Sequence, residues 1–224
     1  MNEERVNFTE NTSRLSRSQA DVRQVAEAIA SVLSMEVTIV DDALRRIAGT
    51  GCCAYTIGDQ LGKNSAFARV LREGKGLVIT NPREHSACRT CSEKKDCRER
   101  AEVCCPIILD NRTIGLIALI AFDERQRGML LVQQEGLLDF LQRMSELLAS
   151  KVAERERIVQ LKTIQQQMAT VLNTVQEGII AVDRDGRVVT LNTAAVRMLH
   201  IRQNEAMGAD MASLLSGLPL ENLL

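Results

Sequence analysis

The chain has no tryptophan, one tyrosine and four phenylalanines, so aromatic side chains make up 2% of its 224 residues. Its core must therefore be assembled from Leu, Ile, Val, Met and Ala, and an apolar content of 45% is enough for one of ordinary size. Histidine is scarce as well, with only two. From these and scattered carboxylates no nucleophile, base and orienting partner assemble with any specificity, so catalysis within this chain is not expected. Neither sign of charge dominates: 28 basic and 29 acidic residues leave a net charge of −1, without the bias that direct binding to nucleic acid or an anionic membrane demands. Long hydrophobic runs are missing too. The longest, around Ile117–Phe122, is far too short to span a bilayer, and the N-terminal MNEERVNFTENTSRLSRSQADVR has no signal-peptide core. A globular, cytoplasmic protein is expected.

What the chain does have is cysteine, unevenly placed. Five of its seven fall within eighteen residues as Cys88-x2-Cys91-x5-Cys97-x6-Cys104-Cys105, and the others are Cys52 and Cys53. In a reducing compartment such thiols are ligands, redox groups or core fillers rather than disulfide staples. The two-residue spacer of Cys88 and Cys91 lets the chain fold back around one ion, and Cys97 with one of Cys104 or Cys105 would complete four ligands. Neighbouring strand residues point to opposite faces, so only one of that pair can join. The expected metal set is Cys88, Cys91, Cys97 and Cys105, with Cys104 the alternate fourth member. An iron-sulfur cluster, [4Fe-4S] first, suits these donors. Zinc is the alternative, although structural zinc sites more often use two close pairs. The third possibility is no metal, with reactive or simply buried thiols. Arg89, Lys94, Lys95, Arg98 and Arg100 surround the loop, and their charge is expected to lower the thiol pKa values.

The remaining candidates have plainer readings. Cys52 and Cys53 read as structural, or as a further ligand if they face a pocket. His85 reads as a solvated loop residue before it reads as a ligand, and His200 as a helix-end cation. Gly49-Thr50-Gly51 is a turn, or a close approach to a ligand.

Along the chain, residues 1–20 are polar and unpatterned. Val22, Val25, Ala26, Ile29, Ala30 and Leu33 then recur at helical spacing. Val37–Val40 and Leu44–Ala48 predict a hairpin around Asp41-Asp42, Phe67–Leu71 a short helix stopped by Gly74, and Leu77–Ile79 a strand. Beyond the cysteines, Pro106–Leu109 and Thr113–Ala121 predict two strands joined at Asp110-Asn111-Arg112. The fold class expected is α+β, an antiparallel sheet flanked by helices over residues 21–122. From Asp123, with Gln126 completing a capping box, the pattern is helical over 123–175. Leu137, Phe140, Met144, Leu147, Lys151, Glu154, Ile158, Leu161, Gln165, Met168, Leu172 and Val175 form an a/d heptad seam, which predicts a homodimeric coiled coil over 137–175. The alternative is a helix lying on the units it connects, and Glu154-Arg155-Glu156-Arg157 is otherwise a solvated face. Residues 176–224 begin with two short strands around Asp183-Arg184-Asp185-Gly186, followed by a helix capped by Asn192 or Thr193 and another small helix ending near Leu215.

The stretch EGIIAVDRDGRVVTLNTAAVRMLHI resembles the first half of a PAS domain. VTIVDDALRRIAGTG, the cysteine segment and CCPIILDNRTIGLIALIAFDERQR resemble the N-terminal GAF-like sensory domain of sigma-54-dependent transcriptional activators. That resemblance implies a redox- or ligand-sensing input region, followed by a partial PAS domain here and by an AAA+ ATPase and a DNA-binding domain beyond this chain. No G-x-x-x-x-G-K-[ST] loop occurs within the 224 residues. Two other readings share these parts: a GAF-type module for a small organic effector with structural cysteines, and the sensor of a histidine kinase.

Overall fold

The structure, a computed structural model, describes residues 13–92 and 94–216. Most of the polar tail expected at 1–20, and the end of the last segment at 217–224, lie outside these residues. The chain divides into two compact units, Met1–Glu156 and Arg157–Leu224.

The first unit is built on a five-stranded sheet in the order β2-β1-β5-β4-β3. Its strands are β1 (Glu36–Asp41), β2 (Arg46–Gly49), β3 (Leu77–Ile79), β4 (Ala101–Leu109) and β5 (Arg112–Ala121), and every pairing is antiparallel. The turn chemistry is that of the sequence. Asp41 Oδ1 accepts from the amides of Ala43 (3.0 Å) and Arg45 (2.8 Å), an Asx turn that starts the first hairpin. Asp110 and Asn111, at φ 52° and 60°, make the left-handed two-residue connection between β4 and β5.

β4 starts five residues before Pro106, so Cys104 and Cys105 lie inside the strand rather than ahead of it. Pro106 is tolerated there because β3 pairs only as far along β4 as Cys104, so no partner on that side requires an N–H at position 106. The centre of the sheet is covered on both faces. Val37, Ile39, Val103, Cys105, Ile107, Ile117 and Leu119 pack toward α1 (Gln19–Leu33) and the helices after the sheet. Val40, Cys104, Leu116, Ala118 and Ile120 pack with Phe67 and Val70 of α2 (Ala66–Glu73). Ser65 caps α2 by accepting from the Ala68 amide (3.3 Å), and Gly74 at φ 62° ends it.

The helical stretch after Asp123 starts as expected: Asp123 Oδ1 accepts from the Gln126 amide (2.7 Å). It is not continuous, however. α3 (Glu124–Val132) stops at Gln133, whose φ of −118° and ψ of 21° are non-helical, and α4 runs from Gln134 to Thr174. Gly128 and Gly136, both poor helix formers, flank the break, and the buried Leu130 and Leu137 anchor its two sides in one core.

The seam is divided as well. Of its first positions Leu137 is buried and Phe140 and Met144 are partly buried in the first unit's core, beside Leu141, Leu148, Ala149 and Val152, which lie off the seam on a helical i, i+4, i+11 stripe from Leu137. Lys151 and Glu154 are exposed. Two ion pairs tether this half: Arg14 Nε donates to Glu156 Oε1 (2.7 Å) while its Nη2 reaches Asp110 Oδ2 (3.0 Å). Leu147 is 44% exposed, and from Ile158 onward the apolar stripe is uncovered, with Ile158 46%, Leu161 61% and Met168 64% exposed.

In the second unit the end of α4 is followed by β6 (Ile180–Val182), β7 (Val188–Leu191), α5 (Thr193–Leu199), α6 (Gln203–Ala206) and α7 (Met211–Ser216). Asn192, not Thr193, caps α5, and it does more than cap. Its Oδ1 accepts from the amides of Ile179 and Ala195, and its Nδ2 donates to the carbonyls of Leu172 and Glu177, all at 2.9 Å. All four hydrogen-bonding positions of the amide are thus used in a buried site.

Two substitutions test this packing by chemical denaturation. A Cβ at Gly115 would meet Leu15 Cδ1 and the Val40 carbonyl, so Gly115→Ala should destabilise the first unit by about 1–3 kcal/mol. Asn192→Ala leaves two carbonyls and two amides, the Ala195 amide buried and the others partly so, without their partner and should lower the stability of the second unit by about 2 kcal/mol, leaving the first unchanged.

Candidate functional site

On the α2 side of the sheet lies a cavity of about 430 Å³, within the size range of small-molecule sites. One wall is the 3-10 turn Gly51–Thr56, another the start of α2, and the third the cysteine loop. Glu36 holds the first wall, its Oε2 accepting from the Cys52 amide (2.7 Å). Gly49 is required at its base, because a Cβ there would meet the Cys53 carbonyl oxygen at 2.5 Å.

The loop is a succession of tight turns. His85 opens the 3-10 turn Ser86–Cys88, its Nδ1 accepting from the Ala87 amide (3.2 Å), so it acts as a cap. The Cys91 amide then donates to the Cys88 carbonyl and the Lys94 amide to the Cys91 carbonyl, each at 3.3 Å. Cys88, Cys91 and Cys97 all line the cavity, and so do Cys52 and Cys53. Cys104, fully buried, packs with Cys53 and Phe67 on this same face. Cys105 lies on the other face, its Sγ 3.8 Å from Ser145 Oγ of α4. Strand alternation thus separates the adjacent pair, and the member on the cavity side is Cys104. Cys105, in the expected ligand set, is directed at the helix.

The electrostatics reverse the expectation for the thiols. Burial, followed by Glu102 and Glu99, pushes Cys88 up to about 12. Burial and then Glu99 push Cys97 up to about 11, and burial raises Cys53 to about 11 against the opposing influence of Arg46. Burial likewise drives Cys104 far up, with Glu102 the next cause. The loop cations are mostly at the surface, where water screens them, whereas Glu102 is 1% exposed on β4 among these thiols. Burial holds the Glu102 carboxyl well above its usual range, with Glu99 adding to the effect. A bound cation would invert this order by deprotonating the sulfurs.

The donor chemistry, soft thiols converging on one cavity, fits a thiolate-ligated centre. As they stand the side chains are open: among the described residues no group of three or more His, Cys, Asp or Glu is arranged to hold a metal ion. Sequence reasoning missed Arg46, Glu99 and Glu102, which also line the cavity. Their signal was a charge at an inward-alternating position: Arg46 in the LRRIA strand pattern and Glu102 in the apolar run of β4.

Comparison with known proteins agrees with this architecture. The GAF domain family matches residues 19–150 and the PAS fold family residues 166–218. The chain belongs to the GAF domain family and carries a PAS-type segment after it. It is 34% identical, over 197 residues, to the putative uric acid sigma-54-dependent transcriptional regulator UacR of Escherichia coli K12, covering 88% of this chain and 33% of that protein. The chain thus spans about a third of the length of the curated relative it matches. The crystal structure of the E. coli DhaR(N)-DhaL complex shares the fold, with a TM-score of 0.56 at 12% identity over 89% of this chain and 70% of that one. No helix among the described residues is long and apolar enough to cross a membrane.

Burial ranks the free thiols by reactivity. In a short iodoacetamide pulse on reduced, chelator-treated protein, Cys52 should be alkylated first, and Cys53, Cys104 and Cys105 only after unfolding. Peptide mass spectrometry reads the order, and rapid native labelling of Cys104 would contradict its placement.

Proposed function

We propose that this chain is the non-enzymatic sensory input region of a sigma-54-dependent transcription regulator. Its signal would enter through an iron-sulfur cluster, [4Fe-4S] first and zinc as the alternative, held by Cys88, Cys91, Cys97 and Cys104. The observation that carries this is the gathering of three loop thiols around one cavity with Cys104 buried on the same sheet face. The 34% identity to a sigma-54-dependent regulator supports the role, with an ATPase and a DNA-binding domain following outside this chain. Cys88, Cys91, Cys97 and Cys104 would hold the cluster, and the loop they bracket would reorder if those thiolates were released or oxidised. That loop leads directly into β4, whose opposite face meets α4. A signal of this kind requires that the two thiol states stabilise two helix arrangements unequally.

Protein purified without oxygen should show a visible charge-transfer band and about four iron atoms per chain. Both should be lost together in the Cys88→Ser, Cys91→Ser variant. Stoichiometric zinc without colour selects the alternative, and neither metal at stoichiometric level removes the proposal.

The output end is a second copy of the chain. The uncovered stripe of Ile158, Leu161 and Met168 on α4 has the spacing of a parallel coiled coil, so the homodimer forms through the part of the seam beyond Val152. Light scattering should give a dimer for the chain and a monomer for Leu161→Lys, Met168→Lys, with an unchanged near-ultraviolet spectrum.

A second reading gives the same cavity an organic effector. The E. coli relative is named for uric acid, and the cavity volume of about 430 Å³, with Phe67 and Phe122 in its wall, suits a ring of that size. A stabilisation by urate that persists in the Cys88→Ser, Cys91→Ser variant favours this reading over the cluster.

A further inference from the structure

Arg46 is a buried cation that forms no ion pair among the described residues, in a cavity whose lining also includes Asp59, Glu99 and Glu102. It stands on β2 opposite Val40, on the cavity face of the sheet, and lines the cavity. It is 8% exposed, yet its Nε has no hydrogen-bond partner. Its Nη1 donates to Thr56 Oγ1 (2.6 Å), and Thr56 Oγ1 in turn donates to the Cys53 carbonyl (3.1 Å), so one side of the guanidinium is fixed by the 3-10 turn. The ion pairs among the described residues do not include it. The other cations lining the cavity differ: Arg83 and Arg98 are exposed and Lys94 is half-buried, so water solvates them. A guanidinium withdrawn from water and held in place, with one N–H unmatched, is costly unless something else supplies the acceptor.

We propose that Arg46 is the anion-recognising residue of the cavity, and that its ligand is a small organic anion presenting a carboxylate-type pair of acceptors. The guanidinium edge that the Thr56 contact does not use carries Nε–H beside Nη2, the fork that matches two coplanar acceptors. The volume of about 430 Å³ limits the ligand to metabolite size, and Phe67 and Phe122 give its body an apolar wall. The proposal deepens the effector reading of the cavity and rests on it.

Formate, benzoate and barbiturate, each at constant ionic strength against chloride, would be titrated into the full chain by calorimetry and thermal shift, with benzamide as the uncharged counterpart of benzoate. At least one anion should bind saturably and raise the melting temperature with concentration. Arg46→Lys should weaken that binding by at least about tenfold and Arg46→Met should abolish it. Absence of saturable binding by every anion overturns the proposal. Benzamide binding as tightly as benzoate also overturns it, leaving the effector reading of the cavity standing. That comparison needs only the unaltered chain, so it holds even if an Arg46 variant fails to fold. Undiminished binding in a folded Arg46→Met variant removes the residue's role alone.

Discussion

The first unit depends on the burial of β4 and β5 on both faces at once. A strand covered on one side sorts its residues into core and solvent, but one covered on both sorts them into two cores, and each residue's parity decides which it serves. In β4 this parity sends Glu102 and Cys104 toward the cavity and α2, and Val103 and Cys105 toward α1, α3 and α4. A shift of one residue in register would exchange the sets, placing a buried carboxylate against the helices and an apolar valine in the cavity wall. β3 and β5 hold β4 from both sides through Glu102 and Cys104, which fixes the register where such an error would cost most.

The same arrangement gives a short physical route from cavity to helix. Cys104 and Cys105 are consecutive, one packed with Cys53 and Phe67, the other beside Ser145 of α4. Helix α4 is fastened to the unit along its first half, by Leu137, Leu141, Leu148 and Val152 in the core and by Arg14 bridging Glu156 and Asp110 at the surface. Asp110 sits in the turn that joins β4 to β5. A displacement of β4 therefore meets α4 at two places about three helical turns apart, one in the core and one at the surface. Between close-packed elements such movements pass as rigid shifts rather than being absorbed.

Much of this was legible in the sequence because it is local. The Asp41 and Asp110-Asn111 turns, the Gly74 stop, the Asp123 box and the Asp-Gly turn of the second unit each rest on interactions within four residues, so residue type and spacing suffice. The partners of the helical seam were less legible for the opposite reason. Residues 137–175 carry one continuous a/d pattern, and nothing in the periodicity says that Leu137, Phe140 and Met144 lean on the chain's own core while Leu147 and the apolar positions from Ile158 onward are bare. The break at Gln133 was hidden as well, because the residue itself is a good helix former and only the flanking glycines marked it. The charges nearest the thiols were misjudged similarly. Sequence proximity favoured the lysines and arginines of the loop, whereas spatial proximity favours Glu99 and Glu102.

The sequence by itself determined the antiparallel α+β fold, the cysteine cluster and the fact that only one of Cys104 and Cys105 can face a given site, since backbone geometry enforces that alternation wherever a strand forms. Which one faces the cavity was decided by tertiary structure alone. Parity is relative, and only the packing of α2 on one side of the sheet and α4 on the other turns it into an assignment. Arg46 belongs to the same category: its charge is visible in the sequence, but its burial, its contact with Thr56 and its unmatched Nε arise only when β2, the 3-10 turn and the cysteine loop close around one space.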